Sequence, residues 1–149
     1  MPQIILATLN AKYIHASLGL RYLYANLGEL QSQTEIQEYT IKTRAIDIVE
    51  QILESNPSIV GFGVYIWNTV ETEAVISQLK TIAPEIKIVL GGPEVSYETE
   101  GQTITRFADY IVTGAADLSF KKLCEEILTG NAPEQKILRS KPVELKDLQ

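Results

Sequence analysis

The sequence predicts a three-layer α/β sandwich, a five-stranded parallel sheet in the order 2-1-3-4-5 with helices on both faces. Three observations carry this. Short apolar runs such as Ile4-Ile5-Leu6-Ala7-Thr8-Leu9 and Lys87-Ile88-Val89-Leu90 lack polar alternation, which marks strands buried on both faces. Between them lie segments whose apolar residues recur three and four apart, the spacing of amphipathic helices. The two kinds alternate along the chain through short connections, and right-handed crossovers then require a parallel sheet covered on both sides.

The elements follow in order. Ile4 to Leu9 reads as the first strand and Asn10 to Ser17 as the loop after it. A helix is expected from Leu18 to Leu30, on the spacing of Leu20, Leu23, Leu27 and Leu30. Glu35 to Ile41 alternates polar and apolar residues, so this second strand is half-buried and belongs at an edge. Thr43 is placed to cap a helix carrying Ile46, Val49, Ile52 and Leu53, which must stop before Pro57. Ser58 to Tyr65 is the third strand. Asn68 and Glu71 have the spacing of a capping box for a helix carrying Val70, Ala74, Leu79 and Ile82, ending before Pro84. The fourth strand ends in Gly91-Gly92-Pro93. After a loop to Gly101 and a short helix around Thr103 to Phe107, Asp109 to Thr113 is the fifth strand, closed by Gly114. Asp117 is expected to cap the last helix, Phe120 to Leu128, and Gly130 to terminate it. Residues 131–149 carry two prolines, many charges and no sustained period, which suits a linker or C-terminal arm rather than a sixth repeat. The expected division is therefore a domain over 1–130 and a linker or arm over 131–149.

Composition narrows the chemistry. Of the residues, 45% are hydrophobic and 21% charged, the balance of a soluble globular domain. A net charge of −6 and no basic run longer than Lys121-Lys122 argue against a nucleic-acid partner. No apolar stretch is long enough for a membrane span, and the N-terminus leads directly into a strand, so a cytoplasmic location is expected. One cysteine, Cys124, sits among Phe120, Leu123, Ile127 and Leu128 at helical spacing and reads as a core residue. A single cysteine cannot form an intrachain disulfide or hold an iron–sulfur cluster, and with one histidine, His15, the usual zinc sites are excluded too.

In a 2-1-3-4-5 sheet the loops after the first and third strands diverge and open a crevice at the carboxyl ends of the strands. That edge collects the unusual residues: Asn10, Tyr13 and His15 after the first strand, Tyr65, Trp67 and Asn68 after the third, Gly91, Gly92 and Pro93 after the fourth, and Gly114 after the fifth. Gly61 and Gly63 lie two apart in the third strand and so share a face. Two readings are open for that bare strip, a helix lying close to the sheet or a ligand. The Gly91-Gly92 pair likewise suits either a tight turn or a binding loop. No Walker loop and no GxGxxG follow the first strand, so a triphosphate or a dinucleotide bound in the usual way is disfavoured. The remaining pattern favours a large, mostly uncharged ligand.

The stretches IVGFGVYIWN, IKIVLGGPEVS and ADYIVTGAADLSFKKLCEEI, in this order and spacing, resemble the N-terminal cobalamin-binding domain of the cobalamin-dependent radical SAM proteins. That group includes anaerobic magnesium-protoporphyrin IX monomethyl ester cyclase and many methyltransferases, and the resemblance covers residues 3–130. It implies a flavodoxin-like, Rossmann-like fold with the nucleotide tail of cobalamin entering past Gly61, Gly63 and Tyr65, then Gly91, Gly92 and Pro93, and Gly114. Where the family commonly reads Gly-Glu-Gly-Glu, this chain reads Gly114-Ala115-Ala116-Asp117. The related DxHxxG motif, whose histidine ligates cobalt, is altered here: Tyr13 stands in place of the aspartate, and Gly19 comes one residue late after His15. Without a carboxylate to orient its ring, His15 as an axial cobalt ligand ranks behind His15 as a loop residue capping the first helix.

The resemblance implies a cobalamin-binding module that is not catalytic alone. S-adenosylmethionine and a 4Fe–4S cluster would belong to a radical SAM domain of the same parent chain, beyond Gln149. The alternative is an interaction or regulatory domain that keeps the fold without the cofactor. A flavin protein of flavodoxin type ranks last, since Asn10 to Ser17 offers only Ser17 and backbone amides to a phosphate.

Overall fold

The computed structural model describes residues 3–10, 23–64, 68–91, 103–113, 117–134 and 137–139. Its strands are β1 (Ile4–Asn10), β2 (Thr34–Thr40), β3 (Ile59–Gly63), β4 (Lys87–Gly91), β5 (Tyr110–Thr113) and β6 (Ile137–Arg139). All pair in parallel in the order β2-β1-β3-β4-β5-β6. The predicted 2-1-3-4-5 order therefore stands, and β6 adds a short strand beyond β5. Three α-helices, α1 (Ala45–Glu54), α2 (Thr69–Ile82) and α3 (Asp117–Leu128), and two 3-10 helices, Gly28–Gln33 and Thr103–Phe107, complete the described elements.

Side chains alternate across each strand, and the two faces build two cores. Ile5, Ala7 and Leu9 of β1 join Val60, Phe62, Ile88 and Leu90 beneath α1 and α2, whose Ile48, Val49, Ile52, Val75, Ile76 and Leu79 are buried there. Ile4 and Leu6 join Ile59, Val89, Tyr110 and Val112 on the other face, against Leu27 and against Phe120, Leu123 and Cys124 of α3. The strands are near-continuous apolar runs because both faces are covered. β2, at the edge, is only half-buried along most of its length.

The structure corrects several local expectations. The helix expected to run to Leu30 is helical over 23–25 and then tightens, with Asn26 N–H bonding Leu23 O and Leu27 N–H bonding Tyr24 O. Gly28, at φ 58°, turns the chain into the 3-10 segment, a conformation open to glycine. The predicted apolar stripe still faces the core, since Leu23, Leu27 and Leu30 pack in the α3-side cluster. Arg44, not Thr43, is the N-cap of α1; it makes no capping bond and instead pairs with Asp47 at 2.9 Å. Ile46, Val70 and Ile82, read as stripe residues, are 39%, 78% and 54% exposed. The buried stripe of α2 is Thr72, Val75, Ile76 and Leu79. α3 begins at Asp117, three residues before the expected start at Phe120. Gly130 does end it as expected, at φ 82°.

The segment read as a linker contributes β6. Ile111, Val112 and Thr113 stand opposite Ile137, Leu138 and Arg139, and Tyr110 Oη donates to Pro133 O at 2.9 Å, holding the intervening chain to β5. At the opposite end of the sheet a clamp sets where β4 and β5 begin. Lys80 Nζ donates to Pro84 O and Ile86 O and pairs with Asp109 at 2.7 Å. Asp109 also accepts from Ile88 N–H at 2.8 Å.

Candidate functional site

The crevice forms where β1 outruns β3. Pairing between β1 and β2 continues to Asn10 opposite Thr40, whereas pairing between β1 and β3 extends only to Ala7 opposite Phe62. β3 in turn stays with β4 up to Gly63 opposite Gly91. The opening lies at the carboxyl ends of the strands, at the point where the order reverses direction.

Asn68 closes the base of this opening. It occupies the N-cap position of α2, yet its side chain makes no capping bond. Its Nδ2 instead donates to Leu9 O at 3.0 Å and Gly63 O at 3.2 Å. Those two carbonyls belong to the diverging ends of β1 and β3, and Asn68 is fully buried between them. The expected capping box with Glu71 is thus replaced by a brace across the sheet. Buried carbonyls need partners, and at a splayed strand end the ladder no longer supplies them.

On the α3 side of the sheet two rows of residues can be compared. In the lower row, Leu6, Gly61 and Val89 are neighbours. A Cβ on Gly61 would lie 3.2 Å from Leu6 Cδ2 and 3.3 Å from the Phe120 ring. Of the two readings of this glycine, close helix packing is the one seen. The next row up contains Thr8, one register step beyond Ala7 and Phe62 and so beside Gly63, followed by Gly63 and Gly91. Among the described residues, a Cβ on Gly91 would meet only Val112 O, at 3.7 Å. Gly91 O is fixed by Val64 N–H at 2.7 Å. At Gly91 no side chain of the described residues lies against the missing Cβ, whereas Leu6 and Phe120 do so at Gly61.

Thr8 sits at the end of that row. It is fully buried, and its Oγ1 has no hydrogen-bond partner among the described residues. Thr72 Oγ1 shares that condition but lies on α2, which packs on the opposite face. The upper row therefore sets two glycines, Gly63 and Gly91, next to each other, with a buried hydroxyl at its end. The sequence reading passed over Thr8, a polar residue in an otherwise apolar strand; the pairing register is what brings it beside the glycines.

Tyr13, His15, Tyr65, Trp67, Gly92, Pro93 and Gly114 lie outside the described residues, as does the side chain of Asn10, the last residue of β1. Among the described residues no group of three or more His, Cys, Asp or Glu side chains is placed to hold a metal ion. No helix among them is long and apolar enough to cross a membrane. Cys124 is buried as the sequence indicated, and burial, followed by Glu125, pushes its thiol up to about 12. A protonated thiol in an apolar setting is not a nucleophile.

The fold and crevice define a flavodoxin-like α/β domain with an opening at the carboxyl edge of its sheet. The chain belongs to the B12 binding domain family, which it matches over residues 4–124. Among solved structures it is similar to a novel cobalamin-binding protein from Desulfitobacterium hafniense DCB-2, with 26% identity over 84% of this chain and a TM-score of 0.61. It also shares its fold with the methanol:cobalamin methyltransferase complex MtaBC from Methanosarcina barkeri, at 16% identity over 87% of this chain and a TM-score of 0.59. The match covers 58% and 47% of those two chains, so this chain spans about half the length of each. A CheY-like protein, tadZ, from Pseudomonas aeruginosa PAO1 has the same fold at 16% identity, with 91% of this chain and 99% of that one covered and a TM-score of 0.59. No curated protein matches.

Proposed function

We propose that this domain is the corrinoid-holding module of a cytoplasmic, cobalamin-dependent radical SAM protein of the methyltransferase or oxidative cyclase class. On this reading residues 1–130 hold cobalamin at the carboxyl edge of the sheet, and residues 131–149 lead toward a domain carrying S-adenosylmethionine and the 4Fe–4S cluster. The observation that carries the cofactor assignment is the pair of glycines, Gly63 and Gly91, at the carboxyl ends of β3 and β4 beside the crevice, in a chain of the B12 binding domain family. The similar cobalamin-binding protein from Desulfitobacterium hafniense supports the same assignment. The radical SAM parent rests on the resemblance of the three glycine-bearing stretches.

When bound, cobalamin supplies a cobalt centre able to carry a methyl group or exchange single electrons. The chain's own residues do the holding. Gly63 and Gly91 leave room for the inserted tail, and Asn68 keeps the two lips of the crevice at a fixed separation through Leu9 O and Gly63 O. Asn10, Tyr13, Tyr65, Trp67, Gly92, Pro93 and Gly114 complete the proposed site around it, with Gly61 acting through the seat it gives Phe120. His15 is the candidate for the lower face of cobalt.

Titration of the purified chain with hydroxocobalamin, followed by visible absorbance and gel filtration, tests the reading. The expected result is co-elution with a base-off spectrum. No retention at high micromolar ligand would overturn it in favour of a cofactor-free interaction domain. His15→Ala then decides the axial role: a shifted spectrum assigns the ligand, and an unchanged one leaves His15 as a loop residue.

A further inference from the structure

The two borders of the sheet are built differently. β2, at one border, reads Thr34-Glu35-Ile36-Gln37-Glu38-Tyr39-Thr40 and is half-buried along most of its length. Charges of this kind protect a strand whose outer side is open. Toward the other border β5 reads Tyr110-Ile111-Val112-Thr113, without a charge. Both of its faces are covered, Ile111 lying in the core beneath α1 and α2, and Tyr110 and Val112 in the core against α3. That is the composition of an interior strand, and among the described residues β5 is interior only because β6 pairs with it. β6 is three residues long and closes with Arg139. In sequence it stands between Pro133 and Pro142, with Lys136 and Lys141 on either side. A short strand set among charges and prolines is a poor template for a further strand.

We propose that β6 is a guard strand: by occupying β5 it blocks an edge through which two copies of this chain would otherwise join, β5 against β5 about a twofold axis. An uncovered β5 offers a row of unpaired N–H and C=O groups between two apolar faces, and an identical strand matches it. Antiparallel pairing centred between Ile111 and Val112 sets Ile111 opposite Val112 of the second copy and Tyr110 opposite Thr113, so no like charges face each other. The border strand β2 of another copy, with Glu35 and Glu38, matches an apolar edge less well. The guard is lightly held. Three residues pair along one side, and the bond from Tyr110 Oη to Pro133 O, at 2.9 Å, ties down the approach to them. This edge role is independent of what the crevice holds.

The test compares the full wild-type chain with three variants by sedimentation equilibrium over a range of concentrations, alongside far-UV circular dichroism and amide hydrogen exchange. The double variant Ile137→Pro, Leu138→Pro removes a ladder N–H whichever of the two residues faces β5. It should keep the helical spectrum and dimerise at least about tenfold more tightly than wild type. Its edge-facing amides in 110–113 should exchange quickly when dilute and slow as the dimer fills. Tyr110→Phe keeps the ring in the core and loses only the bond to Pro133 O. It should shift the same way by less, with exchange at 111–113 up to about tenfold faster in the dilute chain. Lys80→Met breaks the clamp at the other end of the strands without uncovering an edge, so it should stay monomeric like wild type. A folded proline variant that associates no more than wild type would overturn the proposal. So would a Lys80→Met chain that associates as strongly, or a dimer that leaves 110–113 unprotected. Where the prolines unfold the chain, Tyr110→Phe decides by the same readouts, and association no stronger than wild type overturns the guard role.

Discussion

Asn68 Nδ2 serves two carbonyls, Leu9 O and Gly63 O, at the diverging ends of β1 and β3. Asn68→Ala strands both in a buried setting and should cost about 2–3 kcal/mol in chemical denaturation, with corrinoid affinity falling as the crevice loosens. The glycines separate in the same assay. Gly61→Val drives a side chain into Leu6 and Phe120 and should destabilise the fold by about 1–3 kcal/mol. Gly91→Ala meets only Val112 O among the described residues and should leave apo stability unchanged or up to about 1 kcal/mol higher, while weakening cobalamin binding. Cys124 gives a pH signature. Its folded value, about 12, lies above its ordinary 9.0, so the unfolded chain loses the proton first. The stability this represents is fully present below pH 9 and is lost as pH rises toward 12, by an amount on the order of 4 kcal/mol. Tyr39, also raised to about 12 by burial and by Glu35 and Glu54, steepens the same alkaline limb. Cys124→Val should flatten it in equilibrium unfolding measured between pH 8 and 12. At this scale the sequence disclosed residue type and strand position, which was enough to place Cys124 in the core. It could not disclose that Asn68 bonds across the sheet or that Thr8 stands beside Gly63, since both depend on a register set between distant segments.

Element boundaries were legible wherever one local rule acted alone. Apolar runs fixed β1, β3 and β4, and Gly130 ended α3 at a positive φ. Misreadings fell where two rules competed. The first helix has leucines at helical spacing up to Leu30, but Gly28 turns the backbone left-handed before the stripe is finished. Leu30 then packs from the 3-10 segment, while Leu23 and Leu27 pack from ahead of it. Helix α2 was assigned too wide a buried face: Val70 and Ile82, at its two ends, are exposed. The clamp of Lys80 on Pro84 O, Ile86 O and Asp109 is an element-scale device that joins the end of α2 to the starts of β4 and β5. Lys80→Met should cost about 1–2 kcal/mol, less than a buried pair because both side chains remain partly exposed. It should leave cobalamin affinity unchanged, since the clamp lies at the opposite end of the sheet from the glycine row. An equal loss of affinity, measured by absorbance titration, would show the two ends to be coupled.

At the scale of the molecule, alternation of strand and helix was sufficient to specify the order 2-1-3-4-5 and hence which strand ends open the crevice. β6 escaped that reading because three residues paired along a single edge leave no period in a charged, proline-bearing segment. Its pairs and the Tyr110 bond to Pro133 O make it part of the sheet, so removal of residues 131–149 should lower stability by about 2–3 kcal/mol, read by urea denaturation. The seven site residues outside the described parts of the chain stand as expectations from loop position and resemblance, while Gly63, Gly91 and Asn68 have a geometry that can be argued. The seating of Phe120 against Gly61 also sets a length. Strands rise about 3.3 Å per residue, so Gly61 lies roughly 7 Å beneath Gly63, and the ring of Phe120 blocks further descent. α3 thus acts as a depth stop: a group inserted along this face of β3 would meet the Phe120 ring at Gly61, whatever that group is made of.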